Sequence, residues 1–193
     1  MTRIISGRLR GKIIRAPGNL PVRPTTDFAK ESLFNILNNH FVFENIKALD
    51  LFAGTGNLSY ELASRGCEDI IAVDLSNRCH QFIEKTAKEL GFEGLKSRRA
   101  NALDFVKREY REYDLIIADP PYDYEEYAAL IEAIFSNDRL SKDGMLVIEH
   151  DSKGDLSESK YFFESRKYGK VRFTFFQFPE ESESEPEELD RGD

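Results

Sequence analysis

From residue 47 onward the apolar positions of this chain alternate between two rhythms. Short continuous runs read as buried strands: "KALDLFA" (47–53), "DIIAVDL" (69–75), "DLIIAD" (114–119) and "GMLVIEH" (144–150), with the shorter "KSRRAN" (96–101) as the third in order. Between them the apolar spacing is helical, in "NLSYELASRG" closing at Gly66, "NRCHQFIEKTAKELG" closing at Gly91, "ALDFVKREY", and a segment from about Tyr124 to Phe135. Apolar strands separated by helices imply right-handed βαβ crossovers and a parallel sheet with helices on both faces. The rhythm breaks at "KYFFESRKYGKVRFTFFQF" (160–178), where two β-rich runs flank a glycine turn. That predicts an antiparallel hairpin on the sheet edge, seven strands in all.

Ahead of this unit, "RIISGRLRGKIIRAP" reads as two short strands around a glycine-containing turn. "TTDFAKESLFNILNNHF" predicts a helix with Thr or Asp as its N-cap, Glu31 near the capping-box position, and a stripe of Phe28, Leu33, Phe34, Ile36 and Leu37. The expected organisation is therefore a hairpin and helix over residues 1–40, a ligand-binding domain over 41–178, and a tail over 179–193 too polar to order itself.

Charge sharpens this division. The net charge of -8 sits mostly in "PEESESEPEELDRGD" (179–193), whose eight acids and one arginine give -7, leaving -1 for the rest. Residues 1–30 carry seven basic residues (Arg3, Arg8, Arg10, Lys12, Arg15, Arg23 and Lys30) against Asp27, a net of +6. Interleaved with glycine and isoleucine, they suit a hairpin lying on phosphates. No apolar run reaches the roughly 18 residues needed to cross a membrane, and the N-terminus lacks a signal-peptide pattern. Cys67 and Cys79 are too few and too far apart for a metal or disulfide framework, so they read as reduced thiols in a cytoplasmic protein. His40, His80 and His150 are scattered and give no metal or catalytic histidine site.

The candidate chemistry lies where strands end. "DLFAGTG" (50–56) joins the first strand to the first helix of the sheet, and its glycines let backbone approach a ligand and present N–H groups at a helix start. Asp50 stands inside the apolar run, Asp74 ends the second strand eighteen residues past Gly56, and Asn101 ends the third. All three fall on the carboxyl edge, where open α/β sheets bind ligands, and Asp74 is placed to take both hydroxyls of a ribose. NAD calls for G-x-G-x-x-G, whereas the run here is G-T-G-N-L-S. S-adenosylmethionine, which has no phosphate, suits the loop better. The fourth strand stops at Asp119, followed by Pro120, Pro121 and Tyr122. The prolines remove two N–H donors, so the carboxylate and the Pro120 carbonyl can accept from an exocyclic amine while the Tyr122 ring stacks on its base.

"DLFAGTG" followed by "DPPY" resembles the amino-methylating branch of the class I (Rossmann-like) S-adenosylmethionine-dependent methyltransferases. The stretches "RIISGRLRGKIIRA", "RPTTDFAKESLFNIL" and "YGKVRFTFFQF" are similar to the RsmD family, which methylates N2 of a guanine in 16S rRNA. The resemblance covers residues 3 to about 178. It implies that Asp50, Phe52, Gly54 and Gly56 hold the methionine part of the cofactor, that Asp74 takes its ribose, and that Asn101 with Ala102 lies at its adenine. It makes Asp119, Pro120, Pro121 and Tyr122 the catalytic motif, and Arg3, Arg8, Arg10, Lys12, Arg23, Thr25 and Thr26 the RNA contacts. It further implies a monomer acting on rRNA, in an assembled or assembling small ribosomal subunit. Two departures stand out: Asp74 where relatives often have Glu, and the acidic tail. Other readings share some of these features. An adenine-N6 methyltransferase has the same motif but usually a large target-recognition region. A non-catalytic RNA-binding assembly factor would keep the basic hairpin without needing Asp119 and Tyr122. A dehydrogenase lacks its third glycine.

Overall fold

The computed structural model describes residues 1–18 and 26–179. Strands β1 (Thr2–Arg3) and β2 (Ile13–Ile14) pair antiparallel as a short hairpin, and helix α1 (Asp27–Leu37) follows. Then come β3 (Lys47–Leu51), α2 (Asn57–Ser64), β4 (Asp69–Asp74), α3 (Asn77–Leu90), β5 (Leu95–Arg99), α4 (Ala102–Arg108), β6 (Tyr113–Ala118), α5 (Tyr127–Ser136), β7 (Leu140–Asp151), β8 (Phe162–Tyr168) and β9 (Val171–Phe176). The main sheet runs β5-β4-β3-β6-β7-β9-β8, with β5 to β7 parallel and the last two strands antiparallel. This is the class I methyltransferase arrangement expected of the sequence: a mostly parallel seven-stranded sheet with a terminal hairpin, and a small hairpin and helix in front.

Alternate residues of each central strand feed two separate cores. Ala48, Ile70, Leu115, Ile117, Val147 and Phe173 pack with α1, α2 and α3 on one face. Leu49, Leu51, Ile116, Ala118, Ile148 and Phe176 pack with α4 and α5 on the other. Two buried faces explain why these strands are continuously apolar, and why an acid inside one is an anomaly.

The N-terminal hairpin shares the first core through Ile4 and Ile14, and it is pinned to α2 by polar groups. Glu61, fully buried, accepts from the Ile5 and Ser6 amides at 2.7 and 3.0 Å and from Arg65 Nε at 2.8 Å. Lys30 Nζ lies 3.6 Å from Glu61 and donates to the Arg3 carbonyl (2.6 Å) and Asn57 Oδ1 (2.7 Å). Thr2 also donates to Asn57 Oδ1. Gly7 sits so close to α2 that a Cβ would fall 1.8 Å from the Ser64 carbonyl oxygen.

Several local expectations change. Lys30, counted from the sequence with the phosphate-facing residues, is wholly buried, and burial pulls its pKa down. Phe28, placed in the apolar stripe, is 69% exposed; the buried side of α1 is Ala29, Lys30, Leu33, Phe34 and Leu37. Thr26 is the N-cap, accepting from the Ala29 amide at 3.2 Å, so Ala29 and not Glu31 holds the third helical position. Helix α5 begins at Tyr127 instead of Tyr124, because a turn closed by the Tyr124 amide on the Pro121 carbonyl (2.9 Å) comes first. Asn101 lies beyond β5 and caps α4, its Oδ1 accepting from the Asp104 amide at 3.0 Å. The expectation of an unordered tail falls almost entirely outside the described residues.

Candidate active site

The carboxyl ends of β3, β4, β6 and β7 open into a cavity of about 790 Å³. Its walls include Asp50, Phe52, Gly54, Asp74, Asn101, Ala102, Asp119, Pro120, Pro121 and Tyr122, so the fold brings together nearly all of the residues expected to bind cofactor or act on substrate.

The first wall is the turn from β3 into α2. Phe52 takes φ 62°, a left-handed conformation costing a non-glycine residue about 1–3 kcal/mol. Its ring packs edge-on against Tyr124 at 5.0 Å, which holds the turn. Gly56 is the N-cap of α2 at φ 82°, and a Cβ there would meet the Tyr60 ring at 2.8 Å. As a glycine the N-cap offers no side chain, and the cap comes instead from Asp50. Asp50 is 1% exposed, and its Oδ2 accepts from the Ser59 amide (3.1 Å) and hydroxyl (2.5 Å). Burial nevertheless raises its pKa to about 7, with the negative charge of Asp74 adding to the rise.

Asp74, at the end of β4, braces the loop. One carboxylate oxygen accepts from the Gly54 amide and the other from the Ser76 amide, both at 2.8 Å. The Gly54 N–H, expected from the sequence to face a ligand, is thus committed to Asp74. Each carboxylate oxygen keeps a second lone pair, so Asp74 can still accept from a diol.

At β6 the chain leaves the sheet at Asp119, whose amide bonds to the Leu51 carbonyl (3.3 Å) and so fixes this end to β3. Pro120 is buried and Tyr122 is 56% exposed at the rim. Beyond Asp119 the cavity continues between β7, the start of α1 and the β8–β9 turn, lined there by Thr26, Phe28, Glu149, His150 and Lys170 among others. Phe28 meets Tyr168 edge-on at 6.1 Å. This second compartment was not foreseen. Glu149 could have been, since it follows the apolar run Met145–Ile148 just as Asp119 follows Leu115–Ala118. Phe28 could not, because its helical spacing looks like core.

Both His150 nitrogens are engaged, Nε2 with Thr174 Oγ1 (2.8 Å) and Nδ1 with the Asp151 carbonyl (3.0 Å). The carbonyl fixes the proton on Nδ1, and burial lowers the pKa, leaving a neutral structural imidazole. Among the described residues no cluster of three His, Cys, Asp or Glu side chains is placed to hold a metal ion, and no helix is long and apolar enough to cross a membrane.

The residues expected to touch RNA cluster around the hairpin and the start of α1, but several are already engaged within the protein. Arg3, Arg8, Arg10 and Lys12 are exposed on the hairpin and Thr26 caps α1, whereas Arg23 and Thr25 lie outside the described residues. Arg3 pairs with Asp27 at 3.0 Å. Arg8 donates to the Leu90 and Gly91 carbonyls at the end of α3 (3.4 and 3.1 Å) and stacks over Phe92. Its charge thereby also serves a helix C-terminus.

The cavity fits S-adenosylmethionine in volume and in chemistry. A ribose diol can meet Asp74, an ammonium can meet Asp50, and among the described residues the site has no basic cluster for a pyrophosphate. The buried Tyr124 hydroxyl on its wall makes no hydrogen bond among the described residues and is available to a ligand.

Residues 2–177 match the family model described as Conserved hypothetical protein 95. The chain is 34% identical over 161 residues to YlbH of Bacillus subtilis, covering 81% of this chain and 86% of that one. To Ribosomal RNA small subunit methyltransferase D of Escherichia coli K12 it is 27% identical over 154 residues, with 80% and 77% covered. Among solved structures, Escherichia coli yhhF superposes with a TM-score of 0.80 at 26% identity, covering 91% of this chain and 96% of that one.

Proposed function

The chain belongs to the RsmD family of rRNA methyltransferases, and from that premise we propose that it methylates the exocyclic N2 amine of a guanine in small-subunit 16S rRNA. S-adenosylmethionine, when bound, supplies a methyl group on a cationic sulfur; its transfer makes the N–C bond, breaks the S–C bond and releases the thioether and one proton. The observation that carries this reading is the single cavity joining Asp50 and Asp74 to Asp119, Pro120, Pro121 and Tyr122. An amine held at Asp119 then lies beside a cofactor held at the glycine turn.

A guanine N2 lone pair is delocalised into the ring and is a poor nucleophile. The Asp119 carboxylate accepts from one N2–H, favours a pyramidal nitrogen, and takes the departing proton. The Pro120 carbonyl accepts from the same amine, and Pro121 holds the turn. Tyr122 stacks on the base at the exposed rim, where a nucleotide swung out of its helix would enter. Phe52, Gly54 and Gly56 shape the berth for the methionine part, while Asn101 and Ala102 border the adenine. Residues 1–40, with Arg10 and Lys12 exposed on the hairpin, serve the RNA contact, and the sheet over 41–178 serves the chemistry. Support for the small subunit comes from the relatives named Ribosomal RNA small subunit methyltransferase D.

The test is mass spectrometry of rRNA from a strain lacking the gene, with and without the gene restored. One 16S guanine should lose an N2-methyl and regain it. Unchanged rRNA, or loss of a methyl from an adenine, overturns the proposal.

A further inference from the structure

The wall of the cavity does not end at Tyr122. Across the carboxyl edge of the sheet, the order β4-β3-β6-β7-β9-β8 sets Asp74 and the glycine turn first, then the Asp119 motif, then β7, then the turn between β8 and β9. That turn comes to the same edge because β9 runs antiparallel to β7, with Val171 opposite both Asp151 and Tyr168. The side of the motif away from the cofactor is therefore walled by Tyr168, Gly169 and Lys170, and Phe28 reaches it from the first turn of α1.

Phe28 contributes nothing to the core that α1 covers with Ala29, Leu33, Phe34 and Leu37. Its ring is nonetheless held. Tyr168 meets it edge-on at 6.1 Å and 73°, and Tyr168 itself leans on the buried Phe173 at 5.9 Å. The contact fixes the ring while 69% of the residue stays in solvent at the mouth of the cavity. A nucleotide swung out of its helix takes a stacking partner from each base beside it. An aromatic ring replaces such a partner for any base, because every base has a π face. Tyr122 serves the extruded base, which leaves Phe28 for a neighbour. Lys170, exposed on the turn beside Tyr168, offers a cation to the phosphate between them. We propose that Phe28, backed by Tyr168, is a stacking platform for a nucleotide flanking the methylated one, with Lys170 on its phosphate. This inference rests on the reading of an RNA base drawn out to Tyr122 and extends it to the next nucleotide.

The experiment uses the full chain and small-subunit particles reconstituted with intact rRNA, or with an abasic site on the 5′ or the 3′ side of the nucleotide that the wild-type enzyme methylates. Single-turnover methylation is measured at subsaturating particle concentration. Wild type should lose roughly 5- to 100-fold on one of the two abasic particles, the scale of one base–aromatic stack. Phe28→Ala should lose that factor on intact particles and nothing further on that abasic particle. The conservative Phe28→Tyr should restore most of the rate, and Phe28→Leu, apolar but without a π face, should not. Lys170→Ala should lower the slope of log affinity against log salt by about 0.7–0.9, one phosphate's worth of counterions. Calorimetry with S-adenosylmethionine and thermal unfolding should match wild type for every variant, which separates lost stacking from lost folding. Wild-type rates for Phe28→Ala on intact particles overturn the platform, as does an abasic loss that Phe28→Ala suffers in full on top of its own. Wild-type rates for Phe28→Leu overturn stacking as its basis, and an unchanged salt slope in Lys170→Ala removes the phosphate contact. In each of these cases the methylation reading stands. A wild-type enzyme that methylates no particle removes that reading, and this inference with it.

Discussion

Asp50 is held by two hydrogen bonds from Ser59 and is still raised to about 7 by burial, so it titrates in the range where the protein is handled. Its folded pKa lies above the unfolded value of 3.8. Its contribution to stability is therefore greatest below about pH 4 and declines as pH rises through about 7. Cofactor binding should run the other way, because an ammonium prefers the ionised carboxylate. Between about pH 8 and pH 6 the ionised fraction falls roughly tenfold, and calorimetry should show S-adenosylmethionine affinity falling by about that factor; Asp50→Asn should flatten the profile. Asp119→Ala should leave cofactor affinity unchanged and lower single-turnover methylation by roughly 10²–10³, as loss of a positioned electrostatic group does. Tyr122→Phe should keep near-normal rates while Tyr122→Ala loses about 1–3 kcal/mol of stacking; equal losses in the two would assign the role to the hydroxyl. Asp50, Asp74 and Asp119 could be read from sequence because an acid interrupting an apolar run has no packing reason to be there. Lys30 reads as a surface base only while charge is taken without burial; the fold makes it a core residue.

Between elements, the contact that sequence could not show is the polar joint between the N-terminal hairpin, α1 and α2. Glu61 looks like an ordinary helix-surface acid in "NLSYELASRG". Its buried role depends on Ile5, Ser6 and Lys30 arriving from the other end of the chain. Glu61→Ala would leave the Lys30 ammonium buried without its carboxylate and two amides without an acceptor, a loss of about 3–5 kcal/mol. Thermal unfolding should register it, and hydrogen exchange at the Ile5 and Ser6 amides should accelerate. A smaller effect than about 1 kcal/mol would mean water replaces the carboxylate. The sheet itself was far more legible. Strand and helix order followed from apolar rhythm, and errors fell where a turn delayed a helix (α5 at Tyr127) or a cap lay beyond a strand (Asn101). At the turn from β3 into α2 the fit is as tight: Gly56→Ala needs φ 82° and meets Tyr60, so it should weaken cofactor binding at least tenfold.

Over the whole molecule, charge is sorted along the chain: +6 in residues 1–30 and -7 in residues 179–193. Once Lys30 is set aside as buried, and Arg3 and Arg8 as held by Asp27 and by the end of α3, the exposed basic groups left between the two hairpin strands are Arg10 and Lys12, with Arg15 just past β2. Arg8→Glu is a poor probe of RNA contact, because it also sets a carboxylate against the carbonyls of a helix C-terminus. Arg10→Glu with Lys12→Glu avoids this. If the hairpin rests on phosphates, that pair should weaken binding to small-subunit rRNA and reduce the slope of log affinity against log salt by about 1.5–2, two phosphates' worth of released counterions. Cofactor affinity should stay unchanged, since neither residue borders the cavity. Deleting residues 180–193 removes eight acids and one arginine and should have the opposite effect, tightening RNA binding most at low salt, where like-charge repulsion between tail and phosphate is least screened. Filter binding over a salt series with the three proteins decides it. An unchanged slope in the Arg10, Lys12 variant would move the RNA-contact surface off the hairpin, and an unchanged affinity in the truncated chain would show that the tail's charge stays clear of the RNA.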